Sequence, residues 1–196
     1  MPRRIAIASA NPHKLQEIRA ILAPLGFDPV GLDTWPDLDD LPETADTFEG
    51  NALMKARALY EAKGVLAVAD DSGLEVDALD GAPGVHSKRF TPEGTHAANN
   101  RRLLALLAGV QTRTARFRCA IAVVGPGGET WDMGTCEGRI AEVPRGAGGF
   151  GYDPLFLPDE TPGRTMAELE AAEKNALSHR GRAFRKLPEL LARIGG

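Results

Sequence analysis

The chain has 196 residues, 43% of them hydrophobic and 26% charged, the make-up of an ordinary globular protein long enough for one sizeable core. A net charge of −4 lacks the basic footprint of a general nucleic-acid binder, and no apolar run approaches the ~20 residues of a membrane span. Neither a nucleic acid nor a membrane is therefore expected as a partner.

Only Cys119 and Cys136 are present, each in apolar sequence and not in a C-x-x-C pair. With an N-terminus that offers no secretory signal, they read as two buried thiols in a cytoplasmic protein.

Residues 3–9 (RRIAIAS) read as a short strand that runs straight into a helix. Asn11 suits the N-cap of that helix, and Pro12 its first position, where a missing N–H costs nothing. Leu15, Ile18, Leu22 and Leu25 form one stripe, and Pro24 and Gly26 mark the end. Asp28 to Leu32 reads as a second strand, and the acidic, Pro-containing segment from Asp33 to Asp46 as a loop. Thr47 to Lys63 reads as a helix ended by Gly64, with Phe48, Leu53, Ala56 and Leu59 or Tyr60 on its apolar face. Val65 to Ala69 reads as a buried strand that stops at Asp70-Asp71-Ser72-Gly73.

Thr95 to Leu107 is expected to be helical. Arg116 to Val124 and Glu129 to Cys136 bracket Pro126-Gly127-Gly128, a strong hairpin signal. The tail from Glu168 through Ile194 is expected to be helical, with interruptions at Gly181 and Pro188. Strands and helices alternate early and a hairpin comes later, so the class is α/β with a mixed sheet. No long linker divides the chain, and residues 1–196 read as a single domain.

The helix start is the first place that could carry chemistry. Lys14 holds its third position, where unpaired N–H groups already leave a partly positive end. Free N–H groups with an ammonium in the first turn make an anion site. The alternative is a solvent-facing lysine paired with Glu17. No Walker A pattern is present.

Asp70-Asp71 is the second. Two carboxylates at the end of a buried strand sit where open α/β sheets place their ligands, and such neighbours raise one pKa or recruit a hard cation such as Mg²⁺. The alternative is a turn in which Asp and Ser cap their own backbone. Glu43, in the acidic loop, could complete a metal site.

Residues 146–154 (GAGGFGYDP) formally contain G-x-G-x-x-G, but they run into Tyr-Asp-Pro and cannot open a helix there. A loop of close approach fits better. Its glycines bring backbone near a flat ligand, Phe150 or Tyr152 offers a stacking face, and Asp153 accepts from a ring N–H.

Lys174, His179 and Arg180 place three potential donors within seven residues, which a helix with a solvated basic face explains equally well. Arg is also the usual two-pronged reader of a purine 6-oxo group with N7. His86 and His96 lack metal-ligand spacing and read as surface or loop residues.

Several pieces run in order over almost the whole chain. They are Ser9-x-Asn11-x-x-Lys14-x-x-Glu17, Glu43-Thr44-x-x-Thr47-Phe48 and Asn51-Ala52-x-x-Lys55-Ala56, then Ala69-Asp70-Asp71-Ser72-Gly73-Leu74 and Gly81-x-Pro83-Gly84-Val85-x-Ser87-x-Arg89-Phe90. Gly148-Gly149-Phe150-Gly151-Tyr152-Asp153-Pro154 and Ser178-His179-Arg180 complete the set. Any one piece is unspecific, but the ordered set resembles the inosine triphosphate pyrophosphatase family.

The resemblance implies an elongated mixed sheet with flanking helices, two lobes around a central cleft, and a homodimer. It implies Mg²⁺-dependent hydrolysis of purine nucleoside triphosphates (ITP, dITP and XTP) to the monophosphate and pyrophosphate. On matching positions, Ser9, Ala10, Asn11, Pro12, His13 and Lys14 would hold the phosphates, with Lys14 also stabilising charge in the transition state. Asp71 would be the general base or metal-linked carboxylate, Glu43 would help hold the metal, and Ser72 would touch substrate.

Phe150, Gly151, Tyr152, Asp153, Lys174, His179 and Arg180 would bind the nucleotide, chiefly its base. Arg180 or His179 would donate to a 6-oxo group and Asp153 would accept from N1–H; adenine reverses both patterns. The sequence departs from the family at Gly50, where Glu is common, at Lys88, where a small residue is common, and at Phe184, where Leu is common. A Maf-like pyrophosphatase of modified pyrimidine nucleotides and a non-catalytic nucleotide-binding protein remain open alternatives.

Overall fold

Asn11 caps the first helix as its position requires: its Oδ1 accepts from the N–H groups of His13 and Lys14, at 3.0 and 3.2 Å. The structure, a computed structural model, describes residues 1–38 and 41–195; Asp39 and Asp40 of the expected acidic loop lie outside the described residues.

In chain order the elements are β1 (Arg3–Ile7), α1 (Pro12–Leu22), β2 (Phe27–Val30), α2 (Phe48–Lys63), β3 (Ala67–Val76) and α3 (His96–Leu106). They continue with β4 (Thr114–Gly125), β5 (Gly128–Ile140), β6 (Phe156–Pro158), α4 (Ala171–Leu177), α5 (His179–Phe184) and α6 (Leu187–Arg193).

The strands form one sheet in the order β2-β1-β3-β4-β5-β6. β1 runs parallel to β2 and β3, and β5 antiparallel to β6. The fold is thus α/β with a mixed sheet and flanking helices, as expected. Among the described residues no helix is long and apolar enough to cross a membrane.

α1 buries Leu15, Ile18, Ile21 and Leu22. The expected stripe is corrected at its end: Leu25 falls in a 3₁₀ turn after the helix and is 39% exposed, and Ile21 takes its place. α2 starts at the Thr47 cap, whose hydroxyl accepts from Gly50 N–H, and ends at Gly64 with φ +62°, a conformation that glycine adopts without cost. Its buried face is not wholly apolar, since Asn51 and Lys55 lie in it beside Phe48, Ala52, Ala56 and Leu59.

β3 departs most from expectation. It does not stop at Ala69 but continues through Asp70 and Asp71 to Val76. The acidic pair is therefore part of a strand and not a turn. β6 was not foreseen, and the tail breaks at Ser178 and Arg185-Lys186, so that Gly181 lies inside α5 and Pro188 in the first turn of α6.

The contacts divide the chain into two compact units. The first comprises Met1–Asp71, Cys119–Gly134 and His179–Gly196; the second comprises Ser72–Arg118 and Thr135–Ser178. The core of the first packs Ile5, Ile7, Ile18 and Leu22 with Val68, Ile121 and Phe184. The core of the second packs Leu74, Leu103, Phe117, Ile140, Tyr152 and Phe156. Both cysteines are buried thiols outside any disulfide among the described residues, as read from the sequence.

Candidate active site

In the first unit the acidic pair divides its work because successive strand residues face opposite ways. Asp70 is fully buried, and its Oδ2 lies 3.0 Å from Lys14 Nζ. The same oxygen lies 3.4 Å from both Nε and Nη2 of Arg180, whose Nη1 donates to Glu17 Oε2 at 2.6 Å. Burial works against the Asp70 charge, yet Lys14, Arg180 and Lys55 together hold its pKa well below the usual carboxylate range. Cys119 Sγ packs 3.9 Å from the same oxygen, and burial with that neighbouring charge pushes the thiol far up, leaving it unreactive.

Asp71 faces the other group. Its Oδ2 accepts from Asn51 Nδ2 at 3.0 Å, and its Oδ1 lies 3.8 Å from Lys55 Nζ. Burial outweighs these contacts and raises its pKa above the usual value. Lys55 also donates to Glu43 Oε1 at 2.7 Å and to the Asp70 carbonyl at 2.6 Å. The pKa of this lysine is raised: burial opposes its charge, but Asp70, Asp71 and Glu43 prevail. Glu43 and Asp71, the expected metal carboxylates, thus converge on one ammonium.

The helix start corrects two readings. Lys14 is half-buried rather than solvent-facing, and the buried Asp70 carboxylate supplies its counter-charge. The N–H groups of His13 and Lys14 are taken by the Asn11 side chain, and that of Asn11 by Ser9 Oγ at 3.2 Å, so they are not free donors awaiting an anion. Ala10, Pro12 and His13 are exposed, whereas Ser9, Asn11 and Lys14 are half-buried.

Arg180 is 2% exposed and committed to Glu17 and Asp70, a structural duty that the sequence reading did not foresee. His179 is buried beside it in α5. The strand beside α5 approaches closely: a Cβ at Gly134 would fall 2.2 Å from the His179 carbonyl oxygen.

In the second unit, Lys174 Nζ donates to Asp153 Oδ2 at 2.6 Å, both side chains being buried, and Phe150 N–H donates to the same oxygen at 2.7 Å. The Lys174 ammonium also stands 5.0 Å from the centroid of the Phe150 ring. Phe150 is half-buried and offers a face. Tyr152 is corrected as a stacking group, since its ring is in the core and its hydroxyl donates to the Ser87 carbonyl at 2.9 Å.

Ser87 accepts from Leu74 N–H at 2.9 Å and donates to the Gly84 carbonyl at 2.7 Å, which gives the Gly-x-Pro-Gly motif a structural use. Ser72 is half-buried in β3, and His86 and His96 are exposed, as read.

Asn51 and Lys55 were missed as site residues. The signal was available: with Phe48, Ala52 and Leu59 they complete one helical stripe, and polar residues on an apolar face need a buried partner. Gly50, where Glu is common in the family, has little room for a side chain, because a Cβ there would meet that of Ala45 at 2.8 Å.

The match with known proteins is extensive. The Ham1 family model covers residues 5–190. A dITP/XTP pyrophosphatase of Exiguobacterium sp. is 50% identical over 186 residues, 94% of this chain and 94% of its own. The Ham1 protein of Staphylococcus aureus superposes with a TM-score of 0.84 at 36% identity, covering 97% of this chain and 99% of that one. A nucleoside-triphosphatase / dITP/XTP pyrophosphatase of Mycobacterium abscessus superposes with a TM-score of 0.74 at 46% identity, covering 94% and 97%. These matches bear out the resemblance read from the ordered motifs, and the chain belongs to the Ham1 family.

Proposed function

We propose that the protein hydrolyses the non-standard purine nucleoside triphosphates ITP, dITP and XTP to the monophosphate and pyrophosphate. The observation that carries this reading is the basic Asp71 carboxylate held by Asn51 and Lys55, in a chain half identical to a dITP/XTP pyrophosphatase.

The residues fit a divalent cation delivered with the substrate. Among the described residues no group of three or more His, Cys, Asp or Glu is placed to hold a metal. Glu43 and Asp71 nevertheless offer hard oxygens to one centre of positive charge, and Mg²⁺ is commonly held by one or two carboxylates plus substrate phosphates. These two residues would hold Mg²⁺, which when bound neutralises phosphoryl charge and acidifies water.

Asp71 accepts a proton from water as the oxygen attacks the α-phosphorus. The new P–O bond forms, the bond to the β-phosphate bridge breaks, and pyrophosphate leaves. A carboxylate made more basic by burial suits this task better than an ordinary one. Lys55 and Lys14 stabilise the charge gathering on the phosphoryl oxygens. Ser9, Asn11 and their neighbours shape the phosphate turn, and Ser72 contacts the substrate.

Phe150 stacks on the base, Asp153 accepts from N1–H, and Lys174 supplies a donor on the 6-oxo side, whereas Arg180 keeps its structural duty toward Glu17 and Asp70. Mg²⁺ as the ion used, a homodimer and cytoplasmic residence belong to the same proposal through the family resemblance. A panel of ITP, XTP, ATP, dTTP and UTP tests it. Turnover of ITP and XTP far above the rest supports the purine reading; preference for the pyrimidines overturns it.

A further inference from the structure

The loop that carries Phe150 and Asp153 is supported from one side by α3. Asn100, in the second turn, donates from Nδ2 to the Gly151 carbonyl at 3.1 Å. One turn earlier on the same face, the His96 ring lies 6.3 Å from the Phe150 ring, centroid to centroid, tilted by 48°.

The neighbouring Asn99 shows what a purely structural asparagine looks like here. Its Oδ1 accepts from Thr91 N–H and hydroxyl, and its Nδ2 donates to the carbonyls of Ser87 and Lys88. Asn100 differs: its Oδ1 is buried with no partner among the described residues, so among them the bond to Gly151 is its one side-chain hydrogen bond. The amide cannot be turned round, because that would set Oδ1 against the Gly151 carbonyl oxygen.

The held peptide is a sensitive one. Gly151 has φ +65° and Gly149 has φ +68°, so the loop pivots on two residues with little intrinsic preference. Between them Phe150 gives its N–H to Asp153, which Lys174 also grips. Fixing the Gly151 carbonyl therefore fixes the plane of the ring and the aim of the carboxylate together.

Base selectivity depends on that aim. Hypoxanthine and guanine share the 6-oxo group and N1–H and differ by one exocyclic amine. The 6-oxo and N1–H contacts alone do not separate them; the space that the depth and tilt of the ring leave at C2 has to.

We propose that Asn100, assisted by His96, is a positioning residue that sets base selectivity by locking the Gly151 peptide. This rests on the reading of Phe150 and Asp153 as base-binding groups.

Asn100→Asp keeps the shape and deletes the donor, and His96→Ala deletes only the ring contact. Two measurements are made on the full-length protein. Hydrogen exchange of the amides at 149–153, without substrate, is expected to rise about tenfold in Asn100→Asp. The kcat/KM ratio of ITP to GTP is expected to fall about tenfold or more, through KM for ITP and with little change in kcat for ITP. His96→Ala should move the ratio the same way by less.

Unchanged exchange in the loop overturns the positioning role. An unchanged ITP-to-GTP ratio with a lowered Tm reduces Asn100 to a structural residue and overturns the proposal too. If the unsubstituted protein shows no preference for ITP over GTP, the base-binding reading itself fails, and the exchange measurement still decides whether Asn100 holds the loop.

Discussion

Lys14 Nζ and Asp70 Oδ2 stand 3.0 Å apart, and this contact explains a lysine in the first turn of a helix. The cation is set against a like-signed dipole because an internal anion, wholly shielded from water, lies within reach. Arg180 completes the arrangement from the far end of the sequence, 110 residues from Asp70.

Removing the shared anion should cost far more than removing one of its cations. Asp70→Asn takes from Lys14 and Arg180 the buried anion that they share and is expected to destabilise the fold by about 3 kcal/mol or more. Lys14→Met leaves Asp70 still paired with Arg180 and is expected to cost about 1 kcal/mol. Urea unfolding at neutral pH compares the two. Equal losses would show that Asp70 is not the hub.

The two adjacent carboxylates should act oppositely with pH. The Asp70 value is depressed in the folded protein, so its stabilisation is complete above the unfolded value of about 3.9 and is lost as pH falls through the folded one. The Asp71 value is raised, so its contribution is complete below the unfolded value and is lost as pH rises through the folded one.

The proposed role of Asp71 as base needs its ionised form, so the acid limb of the rate profile is expected above the usual carboxylate range. Asn51→Ala removes a hydrogen bond that favours the charged form and should move that limb further up. A limb that stays in place would remove Asp71 or its partner from the assignment.

Lys55 is 6% exposed along its side chain and reaches Glu43, Asp71 and the Asp70 carbonyl at once. Lys55→Met keeps the apolar stem and is expected to lower kcat/KM for ITP about a hundredfold. Circular dichroism and Tm serve as the folding control. Near-normal turnover by a folded variant would confine Lys55 to a structural role.

Gly149 tests the second unit. It has φ +68°, and a Cβ there would fall 2.0 Å from Asp153 Oδ2. Gly149→Ala should displace the carboxylate from Lys174 and raise KM for ITP about tenfold. Initial rates over a range of ITP concentrations check this, and an unchanged KM would argue that Asp153 does not meet the base.

What the sequence disclosed was local. The Asn11 and Thr47 caps, the Gly64 stop and the β4–β5 turn are each encoded within a few residues, and all are present. β3 was cut short because two aspartates contradict a buried strand until their partners are known, and those partners lie on α1, α2 and α5. β6 is only Phe156–Pro158, too short for periodicity and closed by a proline. The Arg180–Glu17 pair is invisible for the same reason: 163 residues separate its members. Asn51 and Lys55 were the avoidable omissions, since their helical spacing was on view.

The most direct measurement is the identity of both products from ITP and Mg²⁺, followed in time for the unsubstituted protein and for Asp71→Asn. Attack at the α-phosphorus with Asp71 as base requires pyrophosphate to appear in step with IMP, and a folded Asp71→Asn variant to form almost none. Release of single orthophosphate, or undiminished turnover by Asp71→Asn, would contradict it.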